Sequence, residues 1–295
     1  MKNRVFITGV NGFLGKNLKN YLSSSFEIKY SKKKINYREI NDSPYDLKNI
    51  DTVIHCAGLA HVNDHKTSYE DFYHSNVLLT EKTFIEAKQK LVKNFIFISS
   101  VSVYDSEKEK TFIDQNTTEN PSTNYGKSKL EAERVLKKLQ INSSINLYII
   151  RPAMIIGKNS PGNLKKLNKL INFNLPFIVT RKKNLRSFLS ISSFCDFIKK
   201  LINSNKTSTT FLLANNKSLN LDEILELLRE NKKSFLPDLI LPYDLIKLVL
   251  KTLGKKKEFY KLFGSLEIKP SENCFLKGIE WNPEIDWKEE FKSLY

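Results

Sequence analysis

The chain of 295 residues is 40% hydrophobic and 27% charged, enough to bury a substantial core as one large domain or two unequal ones. Its formal charge of +16, from 48 Lys+Arg against 32 Asp+Glu, comes without a zinc finger, basic zipper or aromatic-interleaved basic motif. The scattered lysines therefore argue for a basic surface that favours an anionic substrate and against nucleic acid as a partner.

The opening "MKNRVFITG" has no long apolar region or cleavage site of a secretory signal, so a cytoplasmic protein is expected. "RVFITGV" reads as a strand, and "NGFLGKNLKNYLSS" as a helix with Phe13, Leu14, Leu18, Tyr21 and Leu22 on one face. Between them "TGVNGFLG" spaces Gly9, Gly12 and Gly15 as G-x-x-G-x-x-G. Gly9 permits a tight turn, Gly12 lets a pyrophosphate approach the backbone, and Gly15 allows close contact of helix and strand. The unpaired N–H groups of the helix N-terminus favour an anion there. With Asn11, Phe13 and Leu14 this turn is the expected dinucleotide cradle.

The second strand, "FEIKY", ends in Ser31, Lys32, Lys33 and Lys34. A carboxylate at that tip would grip the ribose of NAD, whereas a lysine such as Lys32 can pair the 2′-phosphate of NADP. The expectation leans to NADP(H), with NAD(H) kept open; Glu27 is the acid if the strand register differs. "DTVIHCAG", "NFIFISS" and "INLYIIRP" follow as strands, separated by loops or helical patterns such as "DFYHSNVLLTEKTFIEAKQK". This alternation predicts an α/β fold, a Rossmann doubly wound parallel sheet covered on both faces.

The histidines His55, His61, His65 and His74 fall within 20 residues, and His61 and His65 have i, i+4 spacing. No H-E-x-x-H pattern or third ligand accompanies them, so no metal is expected and His61 is read as lining the substrate side. Cys56, Cys195 and Cys274 lack C-x-x-C spacing and read as reduced core residues.

"FIFISSVSVYD" is an apolar strand ending in Ser99, Ser100 and Ser102, followed by "NPSTNYGKSKLEAERVLKKL". Pro121 to Asn124 supply a turn and cap, and on the ensuing helix Tyr125 and Lys129 share a face while Lys127 points away. A phenol needs its pKa lowered by ~3 units to work near neutrality, about 4 kcal/mol. A cation ~4 Å away supplies that at an effective dielectric of ~20. Tyr125 and Lys129 are thus an acid/base pair, with the serine hydroxyls at the carboxyl edge facing the same crevice.

Beyond Arg151 the alternation loosens. Residues 1–156 are expected to form the dinucleotide-binding domain, with return elements near 187–214 from "SFLSISSFCDFIKKLIN" and "STTFLLAN". Residues 157–186 and 215–295 are expected to form a smaller C-terminal α/β substrate-binding lid. "FLPDLILPYDLIKLVLKTLG", Phe235 to Gly254, is interrupted by Asp238, Asp244, Lys247, Pro237 and Pro242, too often for a membrane span. It reads as an amphipathic helix packed on the core or lying on a membrane surface.

Together Gly9, Gly12 and Gly15, "DTVIHCAGLAHV", Asn76 in "FYHSNVLLT", "SSVSVY" with Tyr125 and Lys129, "IRPAMIIG" and Arg186 in "RSFLSI" resemble an extended short-chain dehydrogenase/reductase of the nucleotide-sugar epimerase/dehydratase family. The resemblance implies that Ser100 polarises a sugar keto oxygen, Tyr125 transfers its proton, and Lys129 holds the ribose and lowers the tyrosine pKa. It also implies cofactor contacts at Ala57, Gly58, Asn76 and Pro152, and a substrate contact at Ser99. "HCAGLAHVND", "SPGNLKKL" and "KLFGSLEI" are similar to bacterial reductases of UDP-4-keto-6-deoxy-N-acetylhexosamines, which make UDP-N-acetylfucosamine or UDP-N-acetylquinovosamine for capsule and O-antigen. Asn163 and Arg186 would then contact the UDP, Arg186 on its diphosphate.

The second strand's tip departs from the family in lacking an acid, and the segment from Lys34 to Asp51 is short. This reading favours the reductase, with a UDP-hexose or UDP-N-acetylhexosamine 4-epimerase holding tightly bound NAD as the alternative. A non-catalytic nucleotide-binding sensor has no need of the Ser100, Tyr125, Lys129 set. A 4,6-dehydratase would carry carboxylates where Val101 and Ser102 stand. The family's habit implies a homodimer through the helices that carry Asn76 and Tyr125.

Overall fold

The computed structural model describes the chain except residues 1, 34, 61–66, 105–109, 162–170, 172, 174–175, 181, 183, 205–206, 231–236, 256–258, 261–262, 270–278, 280, 283 and 293–295. Six parallel strands make the main sheet: β1 (Arg4–Thr8), β2 (Glu27–Tyr30), β3 (Thr52–His55), β4 (Asn94–Ile98), β6 (Asn146–Pro152) and β10 (Thr209–Leu213). Their spatial order is β10-β6-β4-β3-β1-β2. The chain runs outward from β1 to β2, then returns to place β3 on the other side of β1. The order therefore reverses at β1, and the crevice for a ligand opens beyond the carboxyl ends of β1 and β3.

Each strand is apolar on both sides because both faces are covered. Val5, Ile7, Ile54, Ile96, Ile98 and Ile150 point to one face, where α1 (Phe13–Leu22) and α5 (Ile191–Ile202) cover them. Phe6, Val53, Phe95, Phe97 and Ile149 point to the other, under α3 (Leu79–Gln89) and α4 (Asn124–Gln140). Side chains such as Leu18 and Phe84 are fully buried, worth ~1.5–3 kcal/mol each.

The helix before α3 is interrupted in its periodicity. After the short α2 (Tyr69–Phe72), capped by Ser68, the backbone widens to a π-helix over Tyr73–Leu78 and then continues as α3. Among the described residues between β2 and β3 the regular element is a 3₁₀ turn, Tyr37–Glu39, so β2 stands as a sheet edge, consistent with the short Lys34 to Asp51 segment. Glu27 begins β2, and its carboxylate meets Arg4 and Lys29. The alternative register that would put Glu27 at the tip is therefore corrected: Tyr30, Ser31, Lys32 and Lys33 lead off the strand.

Smaller strand pairs join the rest. β5 (Lys110–Ile113) pairs with β12 (Ser265–Ile268), β7 (Met154–Ile156) with β9 (Phe188–Ser190), and β8 (Ile178–Val179) with β11 (Leu239–Ile240). Two further helices, α6 (Leu221–Arg229) and α8 (Trp287–Lys292), share a core with Phe188 and Ile156. The helix α7 (Tyr243–Thr252) buries Tyr243 and Ile246 against Phe259 and Phe263. Among the described residues no helix is long and apolar enough to cross a membrane.

Candidate active site

The glycine turn is built by exclusion. Gly9 sits at φ +66°, and a Cβ there would lie 2.8 Å from the Ala57 nitrogen. A Cβ on Gly15 would lie 2.3 Å from the Gly9 carbonyl oxygen, so α1 approaches the strand only because that atom is missing. Gly12 caps α1 without a side-chain hydrogen bond, leaving first-turn N–H groups toward the crevice, where Asn11 and Gly12 are exposed. Phe13 and Leu14 are half-buried at the same turn. A cradle that side chains would fill, at a bare helix N-terminus, fits a dinucleotide's pyrophosphate.

The turn is fastened from beneath. The Thr8 hydroxyl accepts the backbone N–H groups of Cys56 and Ala57, both at 3.0 Å, and contacts His55 Nδ1 at 3.1 Å. Burial drives the His55 pKa down to about 3, so the ring is neutral. Thr8 then donates to Nδ1, while Nε2–H donates to the Thr80 hydroxyl at 3.0 Å, which in turn donates to the Asn76 carbonyl at 2.7 Å. The His55 ring thus has one consistent tautomer, protonated on Nε2.

Asn76 is wholly buried within the π-helical turn. Its Oδ1 accepts from Leu59 N–H at 2.7 Å, and its Nδ2 donates to the Leu59 carbonyl and to the Ser128 hydroxyl, each at 3.0 Å. Ser128 in turn donates to the Tyr125 carbonyl. A Cβ on Gly58 would meet Asn76 Oδ1 at 2.5 Å. Asn76 therefore clamps the loop after β3 to the first turn of α4.

At the end of β4 the chain turns through a 3₁₀ element, Val101–Val103, capped by the Ser100 hydroxyl, which accepts from Ser102 N–H at 3.1 Å. Thr123 caps α4 by accepting from Gly126 N–H at 3.0 Å. Gly126 has a role that the sequence reading missed: a Cβ there would sit 2.0 Å from the Ser102 carbonyl oxygen. The glycine lets α4 press onto the serine turn and brings Tyr125 to Ser100. Gly126→Ala is expected to cost ~1–3 kcal/mol by overpacking and to depress turnover more than dinucleotide affinity. Thermal melts with steady-state kinetics check this.

Tyr125 and Lys129 share the inner face of α4 and Lys127 is exposed, as the helical spacing predicts. The electrostatics differ from expectation. Lys129 Nζ donates to the Ile98 carbonyl at 2.9 Å and lies 4.7 Å from the Phe97 ring centre and 6.0 Å from that of Tyr125. Burial lowers the Lys129 pKa to about 8. For Tyr125 burial pushes the pKa up to about 12, against which a hydrogen bond with Ser100 works.

Ser99 has a different partner from Ser100. It is buried, and its hydroxyl donates to Glu133 Oε1 at 2.5 Å. Glu133, fully buried one turn beyond Lys129, also takes Arg151 Nε at 3.0 Å and Nη2 at 2.5 Å. Arg151 further reaches Tyr104 and Glu119, each at 2.6 Å. The Ser99 hydroxyl is thus engaged by a buried carboxylate. Pro152, next along β6, is buried at the sheet's carboxyl end.

Lys32 is exposed beyond the tip of β2, and Gly58 is exposed above β3. Asn163, His61 and His65 lie outside the described residues. Arg186 is largely buried: Nη2 donates to the Tyr260 carbonyl at 2.8 Å and Nε has no hydrogen-bond partner among the described residues. Desolvation brings its pKa down to about 10. A buried guanidinium facing a carbonyl in place of a carboxylate has capacity for an anion.

A model of the NAD dependent epimerase/dehydratase family matches residues 5–214. The UDP-glucose 4-epimerase of Vibrio cholerae is 30% identical over 99% of this chain and 94% of its own length. The N-acetyl-alpha-D-glucosaminyl-diphospho-ditrans,octacis-undecaprenol 4-epimerase of Escherichia coli O157:H7 is 29% identical over 83% of this chain and 77% of its own. Among solved structures, UDP-glucuronic acid 4-epimerase from Bacillus cereus in complex with NAD superposes with a TM-score of 0.77 at 16% identity, covering 98% of this chain and 96% of that one. At that identity the likeness is one of fold.

Proposed function

This chain belongs to the NAD dependent epimerase/dehydratase family, and on that premise we propose that it is a 4-epimerase of a UDP-hexose or UDP-N-acetylhexosamine that retains its dinucleotide. The observation that supports the chemistry is the hydrogen bond of Tyr125 with Ser100, with Lys129 on the Ile98 carbonyl at the carboxyl end of β4, in the same sheet whose β1 leads into the Gly9 to Gly15 turn. The whole-length similarity to a 4-epimerase favours this over the reduction of a UDP-4-keto-6-deoxy-N-acetylhexosamine that the local motifs suggest. Gly9, Asn11, Gly12, Phe13, Leu14, Gly15, Lys32, Ala57, Gly58, Asn76, Lys129 and Pro152 would hold the dinucleotide. The Lys32 and Lys33 tip supports NADP(H), and the family description supports NAD(H). When bound, the nicotinamide supplies the hydride acceptor and donor.

In this reading the Ser100 hydroxyl donates to the sugar O4, and Tyr125 takes the O4 proton and returns it after the sugar has turned its other face. The lysine ammonium holds the ribose and favours the phenolate. Residues 157–186 and 215–295 close over the sugar, with Arg186 on the diphosphate. The helices bearing Asn76 and Tyr125 would form the face of a homodimer.

Purified protein is expected to carry dinucleotide and to interconvert UDP-glucose or UDP-N-acetylglucosamine with its 4-epimer without net cofactor consumption. Stoichiometric oxidation of added NADH or NADPH by a UDP-4-keto-6-deoxy sugar, with no interconversion of UDP-hexoses, overturns the epimerase in favour of the reductase. Arg186→Gln is expected to raise KM by about tenfold to a hundredfold, the worth of a charge-assisted hydrogen bond, with kcat changed far less. An unchanged KM removes Arg186 from the diphosphate.

A further inference from the structure

We propose that β11, β8 and α7 form a docking surface for an anionic lipid bilayer. Ile178, Leu239 and Ile240 on the paired strands, Leu245, Leu248 and Val249 on the helix, and Leu253 just after it, are each between 47% and 63% exposed. Leu241 and Pro242 alone separate β11 from α7, so the strand tips and the helix face are neighbours in sequence. On α7 the residues 245, 248 and 249 fall on one stripe, while Tyr243 and Ile246 occupy another and pack inward on Phe259 and Phe263. The helix therefore has its core contact already and carries a second apolar face to water.

Charge selects the occupant. Lys251 and Lys255 are exposed at the end of this face, and Lys255 opens the sequence run Lys255 to Lys257. Lys182 and Lys247 extend over the Tyr243 ring, at 4.0 and 5.6 Å from its centre. Asp244 is the acid in the helix's first turn, and Asp238, before β11, is paired with Arg229. An apolar face with a basic margin matches the acyl boundary and headgroups of an anionic leaflet. A second copy of the chain would bring the same lysines against one another.

The surface also adjoins the substrate side of the molecule. Phe259 packs on Tyr243 of α7, and the next residue, Tyr260, gives its carbonyl to Arg186. Docking through α7 would thus set the Arg186 flank beside the headgroups, whatever sugar diphosphate the enzyme converts.

Co-sedimentation of the full chain with vesicles of phosphatidylglycerol and phosphatidylcholine, and with phosphatidylcholine alone, tests the surface. Binding is expected to the mixed vesicles and to weaken with salt. Lys251→Glu is expected to lower the partition constant by about fivefold or more, and Leu248→Asp by at least about tenfold. Both variants should melt as the wild type does and keep the activity on a soluble substrate. Absence of binding to mixed vesicles overturns the proposal, as does equal binding by the variants. A halved mass of Leu248→Asp in light scattering overturns it too, in favour of a contact between copies. None of these readouts depends on which reaction the site performs.

Discussion

Tyr125→Phe is expected to lose ~10²–10⁴-fold in turnover while binding dinucleotide as the wild type does. The phenol's surroundings make the size of that loss understandable. With its pKa near 12, Tyr125 must be brought down by about 5 units to be half ionised near neutrality, a difference of about 7 kcal/mol. A unit charge even ~4 Å from the phenolate supplies only about 4 kcal/mol at an effective dielectric of ~20. Lys129 alone is insufficient. The remainder has to come from the Ser100 hydrogen bond and from positive charge that arrives with the oxidised cofactor, so Tyr125 is ready as a base chiefly in the loaded enzyme. Phenylalanine keeps the ring's contact with Phe72 and removes only the oxygen. The loss should therefore fall on kcat, measured with dinucleotide affinity determined separately by titration. Near-normal turnover would assign the proton transfer to another group.

What could be read from the sequence was local. Gly9, Gly12 and Gly15 lie in one turn, and Tyr125 and Lys129 lie one turn apart on one helix, so spacing alone places them. The supports lie far off in the chain. Thr8 and His55 are 47 residues apart, His55 and Thr80 25, and Asn76 and Ser128 52. Nothing in a stretch such as "DTVIHCAG" marks His55 as a buried neutral link. The π-helical turn at Tyr73–Leu78 was hidden for another reason: an apolar pattern read at 3.6 residues per turn does not reveal a widened turn, which is what sets the place of Asn76. Gly126 was in plain view in "NYGKSK", but its necessity depends on the Ser102 carbonyl. One signal could have been used: Glu133 continues the stripe of Tyr125 and Lys129 at i+8, and a carboxylate on an inward face calls for a partner.

That partner gives the largest expected effect on stability. Arg151→Met removes the guanidinium from Glu133, whose side chain is fully buried, and leaves it with the Ser99 hydroxyl as its remaining described hydrogen-bond partner. Stranding a buried carboxylate costs ~3–5 kcal/mol. At this chain length that corresponds to about 5–8 °C in Tm. Adding Glu133→Leu to Arg151→Met takes away the stranded charge, so the double variant should melt closer to the wild type than the single one, because two apolar side chains can replace a buried ion pair at little net cost. Glu119, half-buried, can turn to water. Activity should not recover with stability. Glu133 lies on the same stripe of α4 as Tyr125 and Lys129, and Arg151 is the last residue but one of the strand next to β4, so the pair fixes how that stripe faces Ser100. A double variant that regains both Tm and kcat would show that packing alone orients α4. Regained Tm with depressed kcat would show that the ion pair is kept for position, holding the tyrosine hydroxyl against the serine at a cost in desolvation that two apolar residues would have avoided.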